Sequence, residues 1–267
     1  MIRLLALDLD GTLVDDDMVI SPRVRRAIAA AQERGVVVTL ATGRMFDATL
    51  AFARDLGIVA PLICYQGALV RVPDSDTPLH WVTMEPVLVR EMLEWQAQRG
   101  WHVVLYADDA VFVAEPRYPE TFYHTWLGKK LVWVDNLLSV LEQHEPVKFL
   151  VVAEPPEADC IEMELRQRFE GRMEIVRSHA MFAEGNPLGV SKGDALQRLA
   201  AHLDIPRAQV MAIGDQDNDV TMITWAGVGV AMGNGSPAAK AVADWVAPPL
   251  AEDGAAVAIE RLALTPQ

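Results

Sequence analysis

Cysteine is scarce. Cys64 and Cys160 are the only two in 267 residues, and neither belongs to a paired or clustered motif. That excludes a disulfide framework and the recurring spacings of zinc sites, so both read as reduced thiols. Positive charge is also in short supply, with 23 Lys and Arg against 37 Asp and Glu and a net charge of -14. Nucleic acid requires clustered cations facing its phosphates, so no such partner is expected. Long apolar runs are missing too. The first one is interrupted by Asp8 and Asp10, and none approaches the roughly 20 residues that cross a bilayer. No secretory leader pattern opens the chain. A cytoplasmic protein without a membrane partner is expected, a monomer or homodimer. Internal repeats and low-complexity segments are absent.

What is present is a 51% hydrophobic chain, enough for one large core or two smaller ones. Residues 2–9 form a continuous apolar run of the kind that makes a buried parallel strand. Ser21-Pro22 opens a helix, with Ser as N-cap and Pro in the first turn, and Gly35 stops it. Residues 36–41 read as a second strand, 45–56 as a helix ending at Gly57, and 61–65 as a third strand. This alternation predicts an α/β fold with right-handed crossovers and a doubly wound parallel sheet. The rhythm resumes late, with a helix over 192–203, strands over 210–213 and 228–231, and a helix opened by Ser236-Pro237. Between them, residues 68–72 and 79–83 flank a hairpin signal, PDSDTP. From about residue 86 the pattern is mixed α+β. The expected organisation is a discontinuous core domain, 1–83 and 188–267, interrupted by an inserted α+β domain, 84–187.

Open α/β sheets bind ligands at the carboxyl ends of their strands. Asp8 and Asp10 follow the first strand, and Thr42, Gly43 and Arg44 follow the second. Ser191, Lys192 and Gly193 open a helix. GDQDND, with Asp215, Asn218 and Asp219, follows the 210–213 strand. One rim would thus gather carboxylates and anion-binding donors, which suits a phosphate ester with a divalent ion. Asp8 and Asp215 would offer carboxylate oxygens, and a strand-end carbonyl a third ligand, to Mg2+. Asp8 would attack phosphorus. Asp10, two residues on and on the same face, would move the proton. Thr42, Lys192 and backbone N–H groups at the Asp10-Gly11 turn would hold the phosphoryl oxygens. Singly, each element has an ordinary explanation: a solvated turn, an N-cap, a surface lysine, a polar loop. Arg44 equally suits bracing a helix. Asp15, Asp16 and Asp17 read as solvated turn residues. The ordered co-occurrence at successive strand ends is what selects chemistry over decoration.

With these segments in view, the sequence resembles the haloacid dehalogenase-like hydrolases, in particular the Cof-like sugar-phosphatase branch. The carriers are DLDGTL (Asp8–Leu13), ATGR with Thr42, GVSKG with Lys192, and GDQDND. The resemblance spans the chain. It implies a Mg2+-dependent phosphatase of small phosphorylated metabolites, sugar phosphates foremost, with Asp8 as nucleophile and Asp10 as acid and base. It implies Asp8, the Asp10 carbonyl and Asp215 on the metal, Asp219 as a supporting carboxylate, and Asn218 near phosphate or metal-bound water. Gly11 makes the turn. An insertion between the second and third motifs implies a large α/β cap. Two departures stand out: Gln66-Gly67 where many relatives carry Asn-Gly, and Gly185 where an isoleucine is common. Rival readings are a sugar phosphomutase and a catalytically idle phospholigand-binding protein. Within the insertion, Arg117–Trp133 crowds Tyr118, Phe122, Tyr123, His124 and Trp126 beside Lys129 and Lys130. It is either a ligand-stacking wall or the insertion's own small core.

Overall fold

The fold is described from a computed structural model. It covers residues 1–15, 17–127 and 130–264; Asp16 and Lys129 lie outside the described residues. Chain contacts define two units. The first holds Met1–Gly43, Thr49–His80 and the chain from Ser191 onward; the second holds Arg44–Ala48 and Trp81–Val190.

The first unit begins with β1 (Leu4–Leu7), buried along its whole length. Helix α1 (Pro22–Glu33) starts as its chemistry dictates: the Ser21 hydroxyl accepts from the Val24 N–H at 3.2 Å. It buries Val24, Ala27, Ile28 and Ala31, an i, i+3, i+4, i+7 stripe that faces a core on one side only. Strand β2 (Val37–Leu40), helix α2 (Phe46–Asp55) and β3 (Leu62–Cys64) follow. Here the structure departs from expectation. β3 is not a full member of the parallel sheet; a single parallel bridge, Ala41 to Ile63, joins it to the end of β2. It pairs antiparallel with β4 (Leu69–Arg71), and β5 (His80–Trp81) completes a three-stranded sheet. The cause is the turn between β3 and β4. Tyr65, Gln66 and Gly67 have φ of 51°, 58° and 107°, a left-handed run that folds the chain straight back on itself.

The second unit contains α3 (Pro86–Ala97), β6 (His102–Ala107), β7 (Ala110–Val113), α4 (Glu120–Trp126), β8 (Leu131–Trp133), α5 (Leu137–Val140), β9 (Pro146–Val152), α6 (Pro155–Phe169), β10 (Met173–His179) and β11 (Phe182–Pro187). Its sheet runs β10-β11-β9-β6-β7-β8 and is antiparallel except where β8 joins β7. Val103, Leu105, Phe149, Val151 and Ile175 supply the sheet's share of a core closed by Val89 and Met92 of α3 and Ile161 and Leu165 of α6. The Gly185 departure has its reason here. A Cβ at that position would lie 2.2 Å from Cε1 and Cζ of Phe149, so the phenyl ring fills the space a side chain would take.

The aromatic segment resolves as packing. Tyr118 stacks on Phe122 with ring centroids 4.5 Å apart, Trp126 packs on His179 at 4.7 Å, and Phe122 and Trp126 both meet Phe182 edge-on. Tyr123 is wholly buried. His124 is exposed beside Glu120, and Lys130 pairs with Asp47 and Asp109.

The chain then returns to the first unit through α7 (Lys192–His202), β12 (Val210–Gly214), α8 (Val220–Trp225), β13 (Val228–Ala231), α9 (Pro237–Val242), β14 (Trp245–Val246) and α10 (Gly254–Ala258). The main sheet is all parallel, in the order β14-β13-β12-β1-β2. Leu7 stands opposite Leu40 on one side and Ile213 on the other. That register ends three strands together, so the residues that follow them emerge side by side.

Candidate active site

Three backbone contacts and one side-chain cap set the rim. The Asp8 N–H donates to Ile213 O (3.0 Å), extending β1 one residue alongside β12. The Ala41 N–H donates to Leu7 O (2.8 Å) and the Thr42 N–H to Ile63 O (2.9 Å). Ser191 caps α7 by accepting from the Asp194 N–H at 3.1 Å, which places Lys192 in the helix's first turn.

Lys192 is 1% exposed. Its Nζ donates to Asp8 Oδ1 and to Asp219 Oδ1, each at 2.6 Å. The other Asp219 oxygen accepts from the N–H groups of Asp215 (2.9 Å) and Gln216 (3.0 Å). Asp219 is therefore fully engaged in holding the lysine and its own loop. Asp215 takes a hydrogen bond on each oxygen, from the Thr12 hydroxyl (2.9 Å) and the Gln216 amide (2.8 Å). Gly11 has φ +80°, and a Cβ there would sit 2.3 Å from Asp215 Oδ2. Only glycine both makes this turn and admits the carboxylate.

The expected residues do not all converge alike. Asp8, Lys192, Asp215 and Asp219 form one buried cluster. Asp10 is half-buried just beyond, close enough to act electrostatically on Asp8. Thr42 is fully buried at the end of β2. Arg44 groups instead with the second unit, where its charge acts on Tyr106. One expectation is corrected: the Gly11 N–H donates to Val14 O at 2.8 Å, so it serves the loop and is not offered to an anion. Thr12 and Gln216 were missed. Both adjoin residues singled out in the sequence, and that adjacency was the only signal.

Electrostatics give the cluster its character. Burial, then the charge of Asp219, pushes the Asp8 carboxyl well above its usual range, against the pull of Lys192. Burial and Asp219 push Asp215 up to about 7, although hydrogen bonds from Gln216 and Thr12 favour its ionised form. Burial alone would lower the Lys192 ammonium, but Asp219 and Asp8 outweigh it and hold it charged. With all three carboxylates ionised against one ammonium, two negative charges would be buried, which is what drives the upward shifts of Asp8 and Asp215. That deficit equals the charge of one divalent cation, and oxygens of Asp8, Asp215 and Asp219 lie within 4.8 Å of one another. Hard oxygen donors in that number fit Mg2+, with Asp8 and Asp215 the carboxylates best able to turn to it, since Asp219 is committed to three donors.

A family model for haloacid dehalogenase-like hydrolases matches residues 5–259. The chain is a haloacid dehalogenase-like hydrolase. It is 31% identical to the 5-amino-6-(5-phospho-D-ribitylamino)uracil phosphatase YcsE of Bacillus subtilis, across 98% of this chain and 96% of that one. It is 32% identical to an HMP-PP phosphatase of Yersinia pseudotuberculosis, across 90% and 87%. The crystal structure of a haloacid dehalogenase-like hydrolase from Bacteroides thetaiotaomicron matches with a TM-score of 0.85 at 28% identity, covering 98% of this chain and 100% of that one. The hydrolase is a phosphoric monoester hydrolase, of the family its four motifs resemble. No described helix of it is long and apolar enough to cross a membrane.

Proposed function

We propose that this hydrolase is a Mg2+-dependent phosphatase of small phosphorylated metabolites, sugar phosphates first among them, working through an aspartyl-phosphate on Asp8. The observation that supports it best is the buried Asp8–Lys192–Asp219 bridge with Asp215 alongside. Asp8, Asp215 and the Asp10 carbonyl would hold the metal. Bound there, Mg2+ supplies the positive charge that keeps Asp8 ionised and lets a phosphate dianion approach it.

Asp8 Oδ attacks phosphorus, and the bond from phosphorus to the leaving oxygen breaks. The Asp10 carboxylic acid gives its proton to that oxygen, releasing the alcohol. Water then attacks phosphorus, the Asp10 carboxylate takes its proton, and inorganic phosphate leaves with Asp8 restored. Lys192 neutralises one unit of charge throughout and holds Asp8 in line. Thr42, Gly43 and Asn218 bind the phosphoryl group. Arg44 is assigned no step. The second unit is read as the cap that the family inserts between its second and third motifs.

The test is a panel of phosphate monoesters assayed with Mg2+, with a chelator, and with Asp8→Asn. The panel spans hexose and pentose phosphates and includes 5-amino-6-(5-phospho-D-ribitylamino)uracil, for which a relative is named. Phosphate release that requires Mg2+ and vanishes in Asp8→Asn is expected. Full activity of the variant overturns the mechanism, and inactivity of the wild type across the panel overturns the phosphatase assignment.

A further inference from the structure

Gln66 departs from the family's usual asparagine, and nothing in the chemistry above uses it. Its surroundings are nonetheless built with care. It is 2% exposed, at φ 58° and ψ 17°, directly after Tyr65 at φ 51°. Two successive non-glycine residues in the left-handed region are strained, and such strain persists only where the surroundings fix it. The Gln66 N–H donates to Thr42 O at 3.1 Å. The NH2 end of its carboxamide presses on Gly43: a Cβ there would be 2.4 Å from Nε2 and 2.9 Å from Cδ. Its Oε1 accepts from Asn218 Nδ2 at 2.9 Å. The next residue, Gly67, is pressed against Ser191 O, where a Cβ would come within 2.3 Å. One side chain thus spans the loop after β2 and the loop after β12, from a turn seated on the residue before Lys192.

The far side of the Asn218 amide is the informative one. Asn218 Oδ1 is buried and has no hydrogen-bond partner. A buried acceptor left unpaired is costly and calls for an explanation. Rotating the amide would not remove the need, because Gln66 Oε1 can bond only the NH2 side.

We propose that Gln66 is a positioning residue of the phosphatase site: it holds the Asn218 carboxamide so that Oδ1 is presented to an O–H donor brought by the site's ligands. The inference rests on the phosphatase reading above. Two donors share this chemistry, a water on the metal and the hydroxyl of monohydrogen phosphate. The glutamine is one methylene longer than asparagine. That length lets it cross to Asn218 from the β3–β4 turn.

The experiment is a double-mutant cycle on the full-length protein: Gln66→Met, which keeps the shape and removes the acceptor, Asn218→Ala, and both together. Calorimetric titration is run with Mg2+ alone, then with inorganic phosphate in saturating Mg2+, alongside KM and kcat. In the wild-type background Gln66→Met is expected to weaken binding and raise KM by about tenfold, the size of one hydrogen bond, with kcat nearly kept. In the Asn218→Ala background it is expected to do nothing further. Loss of Mg2+ affinity assigns the donor to the metal's water; loss of phosphate affinity alone assigns it to phosphate. Equal effects in the two backgrounds, or none in either, overturn the proposal. Gln66→Asn, too short to reach, replaces Gln66→Met in the same cycle if that variant does not fold. Asp8→Asn is the control: if its phosphate release is also intact, the phosphatase mechanism has failed rather than the role of Gln66.

Discussion

Lys192→Met is the sharpest perturbation of this molecule. It keeps the buried stem and removes the ammonium. Asp8 and Asp219, both held at 2.6 Å from Nζ, would then face each other in a buried site, with Asp215 within 4.8 Å. Breaking a buried pair by removing one partner costs about 3–5 kcal/mol, because the remaining charge is left uncompensated. In a chain of this size each kcal/mol moves Tm by about 2–4 °C, so a fall of about 6–20 °C is expected. Circular dichroism melting in metal-free buffer near neutral pH reads it directly. Adding Asp219→Asn to Lys192→Met removes one of the orphaned carboxylates and is expected to recover part of the loss. A Tm within about 2 °C of wild type for the single variant, or a double variant that falls further, would refute the charge accounting.

Two further outcomes follow from the second unit. His102 is 5% exposed. The Tyr123 hydroxyl accepts from the N–H groups of Arg117 (2.9 Å) and Tyr118 (3.3 Å), so its single proton goes to His102 Nε2 at 2.9 Å, which assigns the neutral, Nδ1-protonated ring. Burial, then the charge of Arg117, pushes this histidine down to about 4. The unfolded chain, titrating near 6.5, binds a proton that the folded one refuses between those values. Stability is therefore complete above about pH 6.5 and falls by about 3 kcal/mol as pH drops to 4. Urea unfolding by tryptophan fluorescence is expected to show that His102→Gln flattens this slope, and a slope equal to wild type counts against it. Gly185→Ala is expected to cost about 1–3 kcal/mol by pressing on Phe149, which is itself fully buried; Phe149→Leu should cost less in that background than alone, and strict additivity in chemical denaturation would sink the packing argument.

How much of this was legible in the sequence depended on how local the cause was. Ser21 and Ser236 announced their helices because a cap is made within three residues, and both hydroxyls do accept, from Val24 and Ala239. Asp8, Lys192, Asp215 and Asp219 were legible because each ends a strand or opens a helix, and a parallel sheet brings such ends together. β3 was legible as a strand but not in its pairing, because its partner is chosen by the turn at Tyr65–Gly67, and left-handed Tyr and Gln leave no mark in the sequence. α4 was missed because seven residues are too short to show a helical period, and its aromatics are fixed by Phe182 and His179, far along the chain. Thr12 acquires its meaning only when Asp215, 203 residues away, comes within 2.9 Å.

The placement of β1 has a consequence for how the protein is made. Its two neighbours are β2, synthesised at once, and β12, completed only at Gly214. Asp8 meets Lys192 across 184 residues. A nascent chain therefore carries its first strand half-paired while the entire second unit is made. No N-terminal fragment ending before residue 192 possesses the buried cluster, and pairing over such a span is slow to form. The cluster is a seal applied at completion: a truncated product of this gene would hold Asp8 without the lysine that steadies it.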